Sequence, residues 1–163
     1  MSDPDHPLLT DTTPLVPMNA VAALIVDGGG RYLMQLRDRK RGIWYPDHWG
    51  LFGGAVEPGE DPLAALYREL EEELTFRPKE VRYFNRLDMH FDPFGAEPCW
   101  RIFYEVRVTD IEVAGMSLRE GRSVEAVGAD ELLLERRCVP YDAFAVWMHV
   151  AREARGRRGS GAD

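Results

Sequence analysis

Sulfur chemistry is scarce in this chain. The 163 residues contain two cysteines, Cys99 and Cys138. They stand 39 residues apart, with no C-x-x-C pair and no histidine at ligand spacing, which argues against a zinc site and leaves two ordinary thiols. Long apolar runs are also missing. The longest, residues 20–26, is far shorter than the roughly 20 residues needed to span a bilayer, so no membrane partner is expected. The N-terminal segment is polar and proline-rich without the apolar core of a signal peptide, and a cytoplasmic protein is expected. Positive charge is in deficit, with 20 Lys and Arg against 28 Asp and Glu and a net charge of −8. A chain of this sign has no general attraction for a nucleic-acid polymer, whose binding depends on cationic side chains. No internal repeat is visible.

What remains is the composition of a globular protein, 45% hydrophobic and 29% charged, of a length that suits one domain with a substantial core. Four prolines in residues 1–17 and a Gly/Arg-rich ending suggest loose tails at 1–17 and 156–163 around a single domain at 18–155. The negative charge is concentrated. Residues 54–76 hold seven acids and one base, Arg68, for a local charge of −6. A nucleotide brought there would need a metal ion beside it.

The same segment carries the chemistry. Gly54 is followed at fixed offsets by Glu60 and then by Arg68, Glu69, Leu70, Glu71, Glu72 and Glu73. With ordinary residue frequencies, so specific a pattern arises by chance with a probability of roughly 10⁻⁵. Asp61-Pro62 reads as an N-cap followed by proline at the first helical position, and a helix is predicted over residues 62–74. On that helix Glu69, Glu72 and Glu73 are related as i, i+3 and i+4 and share one face. Leu63, Leu66, Tyr67, Leu70 and Leu74 form a separate apolar stripe, so the acids are expected away from the core. Ala65 falls on the acidic stripe, where its small side chain would leave room for a ligand. Arg68 stands four residues before Glu72 and is expected to pair with it, while Glu71 points to solvent. Three like charges on adjacent turns repel one another. A hard divalent cation, Mg²⁺ or Mn²⁺, fits such an oxygen donor set and bridges carboxylates to substrate phosphates.

Around this helix the chain reads as α/β. Strands are predicted at 21–26 and 32–36 around the turn Asp27-Gly28-Gly29-Gly30, at 49–53, and in partial alternation at 80–90 and 100–108 about a turn at 92–95. A strand at 124–127, a short helix at 130–134 and a final helix at 141–155, with a Phe144, Trp147, Met148 and Ala151 stripe, complete the chain. A sheet with helices on each side makes three layers.

The segment resembles the Nudix box, G-x5-E-x7-R-E-U-x-E-E-x-G-U with U a bulky apolar residue. Gly54, Glu60, Arg68, Glu69, Leu70, Glu72, Glu73 and Phe76 match, while Thr75 replaces the last glycine and Phe52 stands where family members usually have proline. That glycine ends the helix in a left-handed conformation that Thr adopts poorly. The resemblance implies an α/β/α sandwich with a mixed β-sheet and a metal-dependent hydrolase that cleaves the pyrophosphate linkage of a nucleoside diphosphate derivative. It implies Glu69, Glu72 and Glu73 as metal ligands, a carbonyl of Gly53 or Gly54 as a further one, and Glu60 as a loop brace or a water-mediated ligand. Arg68, Glu69 and Glu72 fall in the catalytic set. The general base is a box glutamate or a later acid, Glu120 first and Glu125 second. Arg37 is a candidate for a substrate phosphate or base, and Trp44, Tyr45, Trp49, Phe91, Phe94 and Trp100 are candidates for stacking. The expected partner is a small nucleotide, on a monomer or homodimer. Two rival readings are a nucleotide-sugar mannosyl hydrolase, suggested by Phe52-Gly53-Gly54, and a non-catalytic nucleotide-binding module. Both rivals typically lack part of the carboxylate set that this chain keeps.

Overall fold

The computed structural model describes residues 16–40 and 43–159; most of the expected N-terminal tail and residues 160–163 lie outside them. The strands are β1 (Ala20–Val26), β2 (Tyr32–Leu36), β3 (Trp49–Gly50), β4 (Arg82–Phe91), β5 (Ala96–Arg107) and β6 (Ser123–Val127). The helices are α1 (Pro62–Leu74), α2 (Asp110–Gly115), α3 (Ala129–Leu134) and α4 (Pro140–Gly159), with a 3₁₀ turn at Asp92–Phe94. The sheet is mixed, in the order β3-β2-β1-β5-β4 with β6 also on β2. β1 and β5 run parallel from Ala20↔Arg101 to Val26↔Arg107, and the other pairs of named strands are antiparallel.

Alternation along β1 divides the interior into two cores. Val21, Ala23 and Ile25 face α1 together with Phe52, Leu66, Leu70 and Leu74. Ala22, Leu24 and Val26 face the other way, onto Leu132 of α3 and Ala145 and Val146 of α4. The result is the three-layer sandwich expected from the sequence. No helix among the described residues is long and apolar enough to cross a membrane.

The β1–β2 hairpin turns as the glycines predict, with Asp27 Oδ1 accepting from the N–H groups of Gly29 and Arg31 at 2.9 Å each. The two strands then separate, and named register partners are confined to Val26↔Tyr32. The segment after β3 fills the opening beside β1: Ala23 N–H donates to the Phe52 carbonyl at 2.8 Å, and Val21 N–H to that of Gly54 at 2.9 Å. The predicted strand at 49–53 is therefore two residues of strand followed by isolated bridges at Phe52 and Ala55.

Some boundaries differ from expectation. β5 starts four residues early because its long hairpin with β4 continues to Phe91↔Ala96. α4 runs to Gly159, four residues beyond the predicted end. α2 is an element that the apolar periodicity does not announce. Its signal is Thr109-x-x-Glu112, a capping box in which the Thr109 side chain accepts from the Glu112 N–H and Glu112 accepts from that of Thr109.

Candidate metal and active site

α1 begins and ends at the predicted residues. Asp61 Oδ1 accepts from the N–H groups of Leu63 and Ala64 at 3.0 Å each, and Pro62 follows the cap. At the other end Thr75 adopts the left-handed conformation, φ 53° and ψ 39°, despite its branched side chain. Its N–H donates to the Glu71 carbonyl at 3.0 Å, and its hydroxyl accepts from Arg119 Nε at 2.8 Å. The helix exit thus keeps the geometry that glycine usually supplies. The loop 116–122 closes the remaining carbonyls, with Ser117 N–H donating to Leu74 at 2.9 Å and Arg119 N–H to Glu73 at 2.8 Å.

The acids of α1 do not share one environment, contrary to the expectation that all lie away from the core. Glu72 has a side chain 60% exposed, whereas Glu73 is only 6% exposed. Glu73 accepts from Gln35 Nε2 at 3.0 Å and from the Gly53 N–H at 2.8 Å. Burial raises its pKa to about 7 against the opposing pull of those two bonds, with Glu69 and Glu120 adding repulsion. Glu69, with a side chain 16% exposed, is also raised, first by burial and against the nearby Arg68. Ala65, expected to leave room for a ligand, is fully buried in the α1 core. The buried face of α1 is wider than its apolar stripe and takes in both Ala65 and Glu73.

Arg68 pairs with Glu72 as expected, but its shorter contacts lie elsewhere. Its Nε and Nη2 reach the two Glu60 oxygens at 2.9 and 3.0 Å, Nη1 reaches Glu69 at 2.7 Å, and Nη2 donates to the Ala55 carbonyl at 3.0 Å. Its contact with Glu72 is the longest, 3.5 Å. Glu60 also accepts from the Glu57 N–H at 3.0 Å, so this carboxylate ties the loop to the helix. Two glycines let the loop approach. Gly53 has φ +134°, and a Cβ there would lie 2.2 Å from the Val21 carbonyl; one on Gly54 would lie 2.4 Å from Glu69 Oε2. Backbone and carboxylate thus meet where any side chain would separate them.

The remaining candidates lie around this centre. Glu120 is on the loop 116–122, 3.3 Å from Lys40 Nζ, and its charge acts on both Glu69 and Glu73. Glu125 instead pairs with Arg136 at 3.0 Å. Arg37 donates from Nε to the Trp44 carbonyl at 3.0 Å. Among the aromatics, Tyr45 and Trp49 are buried, Trp44 meets Phe91 edge-on at 5.6 Å, and Arg86 lies over Trp100. The side chain of Phe94 lies outside the described residues. Gln35 escaped the sequence reading. Its signal is a polar side chain on the β2 face that otherwise enters the α1 core through Leu33.

A family model described as "NUDIX domain" matches residues 16–149. The chain belongs to the NUDIX family. A similar protein is the Uncharacterized Nudix hydrolase PA4841 of Pseudomonas aeruginosa, 31% identical over 120 residues, covering 72% of this chain and 67% of that one. The Nucleoside triphosphatase NudI of Enterobacter sp. (strain 638) is 44% identical over 50 residues, 31% of this chain and 35% of that protein. The match therefore spans about a third of that nucleoside triphosphatase's length. Among solved structures, a MutT protein from Methanosarcina mazei Go1 superposes with a TM-score of 0.70 at 20% identity, covering 83% of this chain and 94% of that one, and it supports the Nudix fold.

Proposed function

We propose that this Nudix protein is a divalent-metal-dependent hydrolase that cleaves the pyrophosphate linkage of a nucleoside diphosphate derivative, of the nucleoside triphosphate, nucleotide-sugar or ADP-ribose type. The observation that carries the reading is a charge deficit: among the described residues Glu60, Glu69 and Glu72 meet at Arg68 as their one guanidinium, and Glu73, which feels the charge of Glu69, has no basic partner. Burial holds Glu69 and Glu73 above the usual carboxylate range, as for acids short of positive charge. The donor set is all oxygen and suits Mg²⁺ or Mn²⁺. The bare backbone at Gly54, against which Glu69 packs, fits a carbonyl ligand beside the carboxylates.

Glu69, Glu72 and Glu73 would hold the cation, with Gly53 or Gly54 contributing a carbonyl. When bound, it offsets the charge of the diphosphate and lowers the pKa of a water. Arg68 keeps Glu69 in position through its own anchorage to Glu60 and Ala55. Gln35 and Gly53 orient Glu73. Glu120, on a loop anchored to the end of α1, takes the proton from the attacking water, with a box glutamate as its rival for that role. Arg37, held by the Trp44 carbonyl, stands ready at the substrate side. The substrate is a small cytoplasmic nucleotide; the similarity to a nucleoside triphosphatase over 50 residues favours the triphosphate class.

The test is a screen of nucleoside triphosphates, nucleotide sugars and ADP-ribose with Mg²⁺ and with Mn²⁺, resolving mononucleotide from free sugar. Mononucleotide release that requires the metal is expected. Release of free sugar identifies the mannosyl hydrolase, and binding without turnover identifies a sensor module.

A further inference from the structure

Beside Gly50, on the α4 side of the sheet, lies a group of charged and phenolic side chains that the hydrolysis proposed above does not use. Arg101 of β5 and Asp142 of α4 are 8% and 1% exposed. Arg101 Nε faces Asp142 Oδ1 at 3.2 Å without the alignment of a hydrogen bond, so both buried atoms lack a hydrogen-bond partner among the described residues. The second oxygen of Asp142 accepts from the Leu51 N–H at 3.0 Å. The guanidinium lies 4.9 Å from the Tyr141 ring centre and 5.7 Å from that of Phe103, and no hydrogen bond to a described residue engages either of its Nη groups.

These residues adjoin the candidate site. A Cβ on Gly50 would come 3.3 Å from Asp142 Oδ2 and 3.4 Å from Arg37 Cδ, so the bare glycine lets Arg37 and Asp142 share one space. Tyr141 feels the charges of Arg101, Asp142 and Arg37, its ring lies 5.9 Å from that of Tyr45, and Glu73 acts on Arg101 across the sheet. Tyr45 is held in the left-handed region at φ 51°, a strained conformation of the kind that collects at ligand sites. Apolar residues of similar volume often serve as well as or better than a buried ion pair, and buried atoms without partners ask for a reason.

We propose that Arg101, held by Asp142 and backed by the Tyr141 ring, reads the base of the nucleotide. The group it takes is an uncharged edge with two adjacent acceptors, such as O6 and N7 of guanine. The assignment rests on the nucleotide reading above. A second phosphate is a poor fit, because Asp142 and Glu73 already offset the guanidinium and would repel another anion. A planar fork with free Nη donors matches two neighbouring acceptors. Adenine presents an N6–H₂ donor where the guanidinium needs an acceptor.

Calorimetric binding of GMP and AMP tests this without catalysis. The wild type should bind GMP about tenfold or more tighter than AMP. In the double variant Arg101→Met with Asp142→Asn the ratio should fall to about one; removing both charges strands neither, and the amide oxygen that replaces the carboxylate still accepts from the Leu51 N–H. Arg101→Lys, which keeps the charge and loses the fork, should also collapse the ratio should the double variant fail to melt cooperatively. The kcat/KM ratio of GTP over ATP should follow the binding ratio. No preference in the wild type, no binding of either nucleotide, or a ratio that survives in a folded variant overturns the proposal. Guanine-selective binding that depends on Arg101 in a protein that hydrolyses no nucleotide refutes the hydrolase reading and leaves this one standing. Hydrolysis without base discrimination does the reverse.

Discussion

Two clusters of acids in this molecule look alike in composition and differ in charge balance. At α1, three carboxylates share Arg68 while Glu73 has no basic partner among the described residues, and burial pushes Glu69 and Glu73 upward, Glu73 to about 7. At the far end of β5, Glu105, His149 and Glu153 bring ligand-type atoms within 4.8 Å of one another, a closeness that the α1 acids do not reach. There Arg107 reaches Glu105 at 2.6 Å and Glu153 at 3.0 Å, and Arg152 bonds both acids. Burial alone would raise Glu105, yet the hydrogen bonds of Arg152 and Arg107 hold it at about 2. His149 meets the Tyr32 hydroxyl at Nδ1, 2.8 Å, and both Arg152, 3.1 Å, and Glu105, 3.3 Å, at Nε2. Burial lowers the pKa of that ring, against the opposing charge of Glu105. The second cluster supplies its own cations and has no need of a metal. Proximity of acids is thus a poor guide to a metal centre; the sign of the uncompensated charge separates the two.

The contrast can be broken by mutation, and the largest effect belongs to the α1 cluster. Glu72→Gln or Glu73→Gln is expected to lower kcat by roughly 10²–10³-fold, measured as mononucleotide release. Glu73→Gln should leave folding stability within about 1 kcal/mol, because it exchanges a penalised buried charge for a neutral amide. Full activity in both variants would sink the assignment. Gly54→Ala places a methyl in the space of the Glu69 carboxylate and should weaken Mg²⁺ binding by about 10–100-fold in calorimetry. Mg²⁺ at a hundred times its Kd should stabilise the wild type by about 2.7 kcal/mol in thermal melts. Glu105→Gln should leave that increment intact, and Glu73→Gln should remove most of it. The smallest effect is at the β5 cluster. The lowered pKa of Glu105 contributes stability that is present above its unfolded value of about 4.5 and is lost as pH falls towards 2. Glu105→Gln should therefore cost about 1 kcal/mol at neutral pH, since both arginines are nearly half exposed, and should flatten the acid limb of denaturant midpoints against pH.

The local signals were legible where one residue type dictates the backbone. Asp61-Pro62 sets the start of α1, and the glycines after Asp27 set the hairpin. The box spacing brings Glu60, Arg68 and Glu69 together. What escaped depends on partners remote in sequence. The burial of Glu73 follows from Gln35 and Gly53, and periodicity along one helix cannot see either. The preference of Arg68 for Glu60 over Glu72 depends on where the loop lies. The pair Arg101 and Asp142 is 41 residues apart and carries no motif. Thr75 is a different kind of miss: its intrinsic preference opposes the left-handed exit, and the surrounding hydrogen bonds override it.

Where β1 and β2 part, the glycine loop takes a strand position, and the backbone beside Glu69 and Glu73 is stitched into the same ladder that frames the hydrophobic interior. Its carbonyls have no independent freedom to swing. Any change that shifts β1 along its neighbours would drag these groups out of alignment, so the precision of the acidic centre is underwritten by a seam of main-chain bonds rather than by the acids themselves.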